Sequence, residues 1–217
     1  MTRQTIAWPT LDRNLVAILR GITPTDIESV VAALLEEGFQ AIEVPLNSPE
    51  PFTSIEMARK LAPSSILVGA GTVLSPEDVD RLAGIGANLI VTPNTDPAVI
   101  QQAGTHGMVS MPGAFTPTEA LAAIKAGASA LKFFPASVLG AAGISAIKAI
   151  LPAQFPLGAV GGVGESNFEE YMKAGVTCFG IATSLYKPGE QAGSVRAKAK
   201  ALVAAYDRAK AATASNA

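Results

Sequence analysis

Short apolar runs alternate with longer stretches of helical character along most of the chain. Four of these stretches end in a glycine, at Gly38, Gly86, Gly127 and Gly175, and an apolar run begins one to three residues later. Glycine is favoured there because it readily takes the left-handed conformation that ends a helix. The pattern predicts helices that end at these glycines, each followed by a strand.

The beginnings of four helices are marked as well. A hydroxyl residue precedes a proline, and an acidic residue follows in the first turn, at Thr23-Pro24, Ser48-Pro49, Ser75-Pro76 and Thr116-Pro117. The hydroxyl can cap the helix, proline fits the first helical position, and the helix dipole stabilises the acid. We therefore expect helices to begin at these four prolines.

Eight apolar runs of strand length lie between these marks. They span residues 15–21, 39–46, 66–73, 88–93, 107–112, 130–136, 157–163 and 178–185. Eight strand–helix units without a linker predict an α/β fold with a single (β/α)₈ TIM barrel, and an open doubly wound sheet is the alternative. We expect one domain over residues 1–217, with an N-terminal extension (1–14), a last helix from Ser194 to about Ala211 and a disordered tail (213–217).

Composition and charge narrow the class of protein. Of the 217 residues, 49% are hydrophobic and only 16% are charged, so apolar surface is available for subunit contacts and we expect a homo-oligomer. The net charge of −2 argues against a nucleic-acid partner, and no apolar stretch is long enough to span a membrane. A single cysteine, Cys178, cannot form an intrachain disulfide, so we expect a cytoplasmic location.

Several kinds of active site lack their usual residues. His106 is the only histidine, and it precedes the fifth predicted strand, away from the expected site. A histidine metal site and a Ser-His-Asp triad are therefore disfavoured. No Gly-x-Gly-x-x-Gly pattern opens a helix after the first strand, which argues against a dinucleotide. We expect neither a metal nor a cofactor, although a metal held by carboxylates alone stays open.

Only three residues in the predicted strands carry full charge, and each lies toward the C-terminal end of its strand: Arg20, Glu43 and Lys132. This end of a barrel carries the active site. Burial and the nearby Arg20 would lower the pKa of Lys132 and make its amine a nucleophile able to form a Schiff base, with Glu43 as the proton carrier. The alternative is a buried Glu43–Lys132 salt bridge that only stabilises the barrel.

A phosphate site is expected after the last two strands. Gly161 and Gly162 close the seventh predicted strand and Ser184 closes the eighth, and loops at these places form a recurring phosphate site in such barrels. Thr72 ends the third strand with a hydroxyl suited to a carboxylate or carbonyl oxygen. The alternatives are a tight turn for the glycine pair and an ordinary strand-end hydroxyl for Thr72.

These residues carry a resemblance to a known family. In their order they resemble the class I aldolases that cleave 2-keto-3-deoxy-6-phospho sugar acids, over nearly all of residues 15–187; the motifs are Glu43, Gly71-Thr72, Pro93-Asn94, Pro112-Gly113, Lys132-Phe133-Phe134-Pro135 and Gly161-Gly162. The resemblance implies that Lys132 forms a Schiff base and that Glu43 moves protons through a bound water. It also implies a homotrimer, a pyruvyl contact from Thr72, and phosphate binding by Gly161, Gly162 and Ser184.

Two departures indicate one branch of the family. The gluconate branch has an arginine after the second strand and a threonine before the glycine pair, where this chain has Asn47 and Val160. Arg20 is then the expected partner of the pyruvate carboxylate, and Val160 cannot hydrogen-bond a C4 hydroxyl. We therefore expect the galactonate branch, with pyruvate and a phosphorylated keto-deoxy sugar acid as small-molecule partners. The alternatives are the gluconate branch, a different phosphosugar reaction, and a non-catalytic sugar-phosphate binder.

Overall fold

The computed structural model describes residues 5–214, in which parallel strands alternate with helices. The strands are β1 (Leu15–Ile18), β2 (Ala41–Pro45), β3 (Leu67–Gly71), β4 (Leu89–Val91), β5 (Val109–Met111), β6 (Gly113–Ala114), β7 (Leu131–Phe133), β8 (Leu157–Val160) and β9 (Cys178–Ile181). The helices are α1 (Pro24–Glu36), α2 (Pro51–Leu61), α3 (Pro76–Gly84), α4 (Pro97–Thr105), α5 (Pro117–Ala126), α6 (Ala136–Lys148), α7 (Phe168–Lys173) and α8 (Ala192–Ala214).

The nine strands form one nearly closed barrel, in the order β5-β4-β3-β2-β1-β9-β8-β7-β6. Its two end strands are consecutive in the chain, and only Pro112 separates them. β5 pairs with β4, and β6 pairs with β7. At Pro112, between β5 and β6, the carbonyl oxygen accepts a hydrogen bond from Lys132 N–H at 2.8 Å. The predicted count of eight strands differs from these nine because a proline, which has no N–H, interrupts the fifth. An open doubly wound sheet does not have this order.

Side chains alternate between the barrel interior and the layer beneath the helices, as the two-residue period of a strand requires. An interior cluster of hydrophobic residues includes Ala41, and a larger cluster between strands and helices includes Ile42 and Leu131. The neighbours of Glu43 and Lys132 therefore face outward. Both charged side chains lie on the inward faces of β2 and β7, as the alternation predicts.

Three of the four predicted helix starts are confirmed: α1, α3 and α5 begin at Pro24, Pro76 and Pro117. Thr116 and Glu119 form a complete capping box at α5. The fourth prediction is wrong, because α2 begins at Pro51 rather than Pro49. The hydroxyl of Ser48, expected to cap this helix, instead accepts from Gly21 N–H at 2.9 Å and joins two loops of the barrel.

Both ends of the described chain take part in packing. Ile6 and Trp8 lie against the interior cluster, and Trp8 Nε1 donates to Asn14 Oδ1 at 3.0 Å. Helix α8 includes Thr213 and Ala214, two residues of the expected tail, while 215–217 lie outside the described residues, as do 1–4. Across residues 5–214, no helix is long and apolar enough to cross a membrane.

Candidate active site

Lys132 is the middle residue of β7, and its side chain is only 6% exposed. Its partners in the neighbouring strands are Gly113 on β6 and Gly158 on β8. A Cβ at Gly158 would come within 1.9 Å of the Met111 methyl, which fills the space beside it. Neither strand partner carries a side chain, and Met111 packs into the space beside Gly158 at the level of Lys132.

Glu43 is the middle residue of β2 and is 2% exposed. Its carboxyl group lies against Gly71, where an added Cβ would come within 1.8 Å of Oε2. This oxygen is buried and has no hydrogen-bond partner among the described residues. Since a buried, unpartnered carboxylate is unfavourable, the surroundings favour the protonated acid.

Burial shifts the pKa of both groups toward their neutral forms. Desolvation raises the pKa of Glu43 to about 7, against the charges of Lys132 and Arg20. Desolvation also lowers the pKa of Lys132; the charge of Glu43 opposes this shift and that of Arg20 adds to it. The described residues include no direct Glu43–Lys132 ion pair, so such a salt bridge does not account for their burial. The arrangement favours a neutral amine near an acid that titrates at neutral pH.

The ring of Phe134 covers the amine. Lys132 Nζ lies 4.8 Å from the ring centroid, and the ring also lies near Gly161, where an added Cβ would be 3.5 Å from two ring carbons. Phe134 therefore forms a wall shared by the amine and the glycine loop after β8. An aromatic face attracts positive charge, so this wall can stabilise a protonated imine at Lys132.

Arg20 lies just beyond β1, and two side chains from neighbouring loops bind its guanidinium group. Nη1 donates to Asn47 Oδ1, and Nη2 donates to Thr72 Oγ1 at 3.4 Å. Thr72 has a φ of 57°, a left-handed conformation that is unusual for a β-branched residue. Such strain persists where the surrounding structure enforces it, and here it accompanies a Thr72 hydroxyl turned to Arg20. The three residues form a polar cluster at the C-terminal ends of β1, β2 and β3.

A cavity of about 370 Å³ lies at the ends of β8 and β9, and its lining includes Gly161, Gly162, Glu165 and Ser184. Both members of the glycine pair have positive φ, 91° and 76°, which other residues adopt only with strain. The lining contains no Lys or Arg. An anion bound here would have to rely on backbone N–H groups and hydroxyls rather than on charge pairing.

Val160 ends β8, two residues after Gly158, the strand partner of Lys132. Residues two apart in a strand share a face, so Val160 and Gly158 face the interior together. The Val160 side chain lies over Gly180 on β9, where an added Cβ would come within 2.6 Å of Cγ2. Val160 thus presents an apolar surface between the lysine and the glycine loop.

The structure brings the predicted residues to one end of the barrel, in three neighbouring groups. Glu43 and Lys132 lie in the interior, Arg20 and Thr72 at one side, and Val160, Gly161, Gly162 and Ser184 at the other. Two contributors were missed as site residues: Phe134, which lies two positions after Lys132, and Asn47, the polar residue that follows β2 closely. Both lie close in the sequence to a predicted catalytic residue or strand end, and this closeness could have indicated them.

His106 lies away from this site. It follows α4 as its C-cap residue and contacts Asp80 Oδ1 through Nε2 at 2.6 Å. In the part of the chain that the structure describes, no group of three or more His, Cys, Asp or Glu side chains is placed to hold a metal ion.

The raised pKa of Glu43 predicts how stability depends on pH. In the unfolded chain Glu43 ionises near its ordinary value of 4.5, and in the folded protein near 7. Between these values the folded protein holds a proton that the unfolded chain has lost, so this group's stabilising effect is complete below pH 4.5 and is lost as the pH rises through 7. We expect Glu43→Gln to gain on the order of 3 kcal/mol relative to the wild type across this window, measured by urea unfolding.

Glu28→Gln, at an exposed position on α1, is the matched control and should show no such trend. In a Lys132→Met background the upper end of this window should move to higher pH, because the lysine charge lowers the pKa of Glu43 in the folded protein. A stability difference between wild type and Glu43→Gln that is flat from pH 4.5 to 8 would contradict this account of the site.

The sequence and the fold both match known proteins. Residues 10–204 match the family model described as "Aldolase: KDPG and KHG aldolase". A Rhizobium meliloti protein named "Probable 2-dehydro-3-deoxy-6-phosphogalactonate aldolase" is 60% identical over 202 residues, 93% of this chain and 95% of that protein. An Escherichia coli protein named "2-dehydro-3-deoxy-6-phosphogalactonate aldolase" is 45% identical over 88% of this chain and 94% of its own length. A solved structure described as "Native KDPGal structure" has a TM-score of 0.91 at 44% identity, covering 94% of this chain and 98% of that one. The chain therefore belongs to the KDPG and KHG aldolase family.

Proposed function

We propose that this protein is a Schiff-base (class I) aldolase that cleaves 2-dehydro-3-deoxy-6-phosphogalactonate to pyruvate and D-glyceraldehyde 3-phosphate. The observation that carries the proposal is the pair of buried ionisable groups in the barrel interior, Lys132 and Glu43, both shifted toward neutrality. The two relatives named for this activity, at 60% and 45% identity, support the choice of substrate.

The reaction begins with the lysine. The neutral amine of Lys132 attacks the C2 ketone, and the resulting carbinolamine loses water to form a protonated imine. This cation withdraws electrons from the C3–C4 bond, so no metal is needed. The Phe134 ring, 4.8 Å from Nζ, faces the positive charge that the imine carries.

Glu43 is the proton carrier. Its carboxylate takes the proton from the C4 hydroxyl, directly or through water, while the C3–C4 bonding electrons pass into the imine and give an enamine. D-Glyceraldehyde 3-phosphate leaves, C3 is reprotonated, and hydrolysis releases pyruvate and the free amine. A pKa of about 7 suits Glu43 to both directions of this transfer.

The remaining residues orient the substrate. Arg20 and Thr72 bind the carboxylate and the pyruvyl part, and Gly161, Gly162 and Ser184 bind the phosphate in the 370 Å³ cavity. These contacts hold C2 near Lys132 and C4 near Glu43, which converts remote binding energy into correct orientation. Val160 lies between Lys132 and the glycine loop and meets C4 with an apolar surface. This surface favours the galactonate over the gluconate epimer.

We further infer that the barrel acts as a single (β/α)₈ domain, with β5 and β6 as one strand bent at Pro112. The protein would be a cytoplasmic homotrimer that serves galactonate degradation. Large apolar side chains exposed beside the C-terminal ends of the strands support subunit contacts: Leu74 is 57% and Val138 71% exposed.

Loss of the amine should abolish the reaction. With pyruvate and borohydride, the wild type should form a covalent adduct one reduced pyruvyl group heavier than the chain, because borohydride reduces the imine. Lys132→Ala should form no adduct and show no cleavage, measured by mass spectrometry and by pyruvate release. A wild-type protein that cleaves the substrate but forms no reduced covalent adduct with pyruvate would contradict the imine mechanism.

Epimer preference should follow position 160. The wild type should have a higher kcat/KM for the galactonate than for the gluconate phosphate. Val160→Thr should shift this ratio toward the gluconate by about tenfold, because a hydroxyl can hydrogen-bond the C4 group of that epimer. Val160→Ile, which stays apolar, is the control for altered volume. A wild-type preference for the gluconate phosphate would overturn the substrate assignment and leave the imine chemistry intact.

Assembly can be measured directly. Light scattering should give three times the chain mass, and Val138→Glu should lower it, because a charge on an apolar subunit contact is unfavourable. A wild-type monomer would contradict the trimer.

A further inference from the structure

Arg20 is held without a counter-charge. Its guanidinium donates to two neutral oxygens, Asn47 Oδ1 and Thr72 Oγ1, and forms no ion pair with an acid in the part of the chain that is described. Arg13, by comparison, pairs with Asp207 at 2.8 Å and Arg196 with Glu36 at 2.9 Å. Arg20 is therefore oriented by hydrogen bonds while its positive charge stays available to an anion.

The loop that supplies Asn47 is fixed to the loop that supplies Arg20. Ser48 Oγ accepts from Gly21 N–H at 2.9 Å, so two consecutive residues of one loop bind two consecutive residues of the other. Leu46 N also donates to Gly71 O at 2.8 Å, one residue before Asn47. The Asn47 amide thus stands on a backbone that is tied to both neighbouring strands, a position from which it can fix a long, exposed arginine side chain.

The charge of Arg20 also reaches the reacting groups. It lowers the pKa of Lys132 and that of Glu43. An acid beside Arg20 would neutralise this charge. It would thereby weaken the attraction of an incoming carboxylate, and it would remove the effect that lowers the pKa of the Lys132 amine. A neutral acceptor orients the guanidinium without either effect.

We propose that Asn47 is a positioning residue for Arg20, whose neutral amide oxygen fixes the guanidinium and leaves its charge for the carboxylate of the keto acid. The inference rests on the proposed function, because it takes Arg20 as the carboxylate-binding residue of the aldolase. Asn47 sets the strength of pyruvate binding without touching the reacting atoms.

Two substitutions separate orientation from charge. Asn47→Asp is nearly isosteric and keeps the acceptor oxygen but adds a negative charge, and Asn47→Leu has similar size and no acceptor. Both should raise the KM for the phosphorylated substrate and the pyruvate concentration for half-maximal borohydride trapping by about ten- to a hundredfold, with a smaller change in kcat. Asn47→Asp alone should also shift the pH dependence of trapping to higher pH, because a compensated Arg20 no longer lowers the Lys132 pKa.

Gln101→Glu adds the same charge at an exposed position on α4 and should behave like the wild type. In an Arg20→Met background, Asn47→Leu should have no further effect on trapping. Wild-type KM and pH dependence in Asn47→Asp would overturn the inference, as would an Asn47→Leu effect of full size in the Arg20→Met background. Failure of the wild type to trap pyruvate would instead defeat the proposed function, so the two failures are distinguishable.

Discussion

Desolvation of two ionisable side chains inside a ring of parallel strands is the constraint on which the site depends. Within residues 5–214, neither Glu43 nor Lys132 forms a direct ion pair, and burial shifts the pKa of each toward its neutral form. A surface lysine would remain protonated and unreactive at neutral pH, and a surface glutamate would remain a weak base. The barrel supplies the low-dielectric interior, and its strands fix the two groups on facing sides.

Glycines make this interior possible. Gly113 and Gly158 flank Lys132, and Gly71 leaves the volume that the Glu43 carboxyl group occupies. A Cβ at Gly71 would displace the Glu43 carboxyl group, whereas one at Gly158 would meet the Met111 methyl and one at Gly113 the Pro93 backbone. Glycine is also favoured in the loop after β8. Gly161 and Gly162 take positive φ there and lie beside the Phe134 and Ser137 side chains, so a larger residue would be strained and crowded. Room for the chemistry is thus built by residues that have no side chain.

Charge is distributed unevenly around the site, and this distribution gives each subsite its character. One side holds a fixed, uncompensated guanidinium at Arg20, and the other side is a cavity whose lining has no cation and one acid, Glu165. In the proposed reaction, a carboxylate would be recognised by charge and a phosphate by backbone and hydroxyl groups. This asymmetry suits a substrate with a different anion at each end.

The sequence by itself determined the elements and the facing of their side chains. Proline and hydroxyl signals located α1, α3 and α5, and strand alternation placed Glu43 and Lys132 inward, because these rules act between residues close in the chain. A local rule failed where a distant residue competed, because Ser48 binds Gly21 instead of capping α2. Pro112, which has no N–H, divides the fifth predicted strand where the barrel closes. Only the tertiary structure decided that Asn47 and Thr72 hold Arg20 and that Phe134 covers the amine. The contacts to Arg20 join loops far apart in sequence, and only the closed sheet brings them within hydrogen-bonding distance.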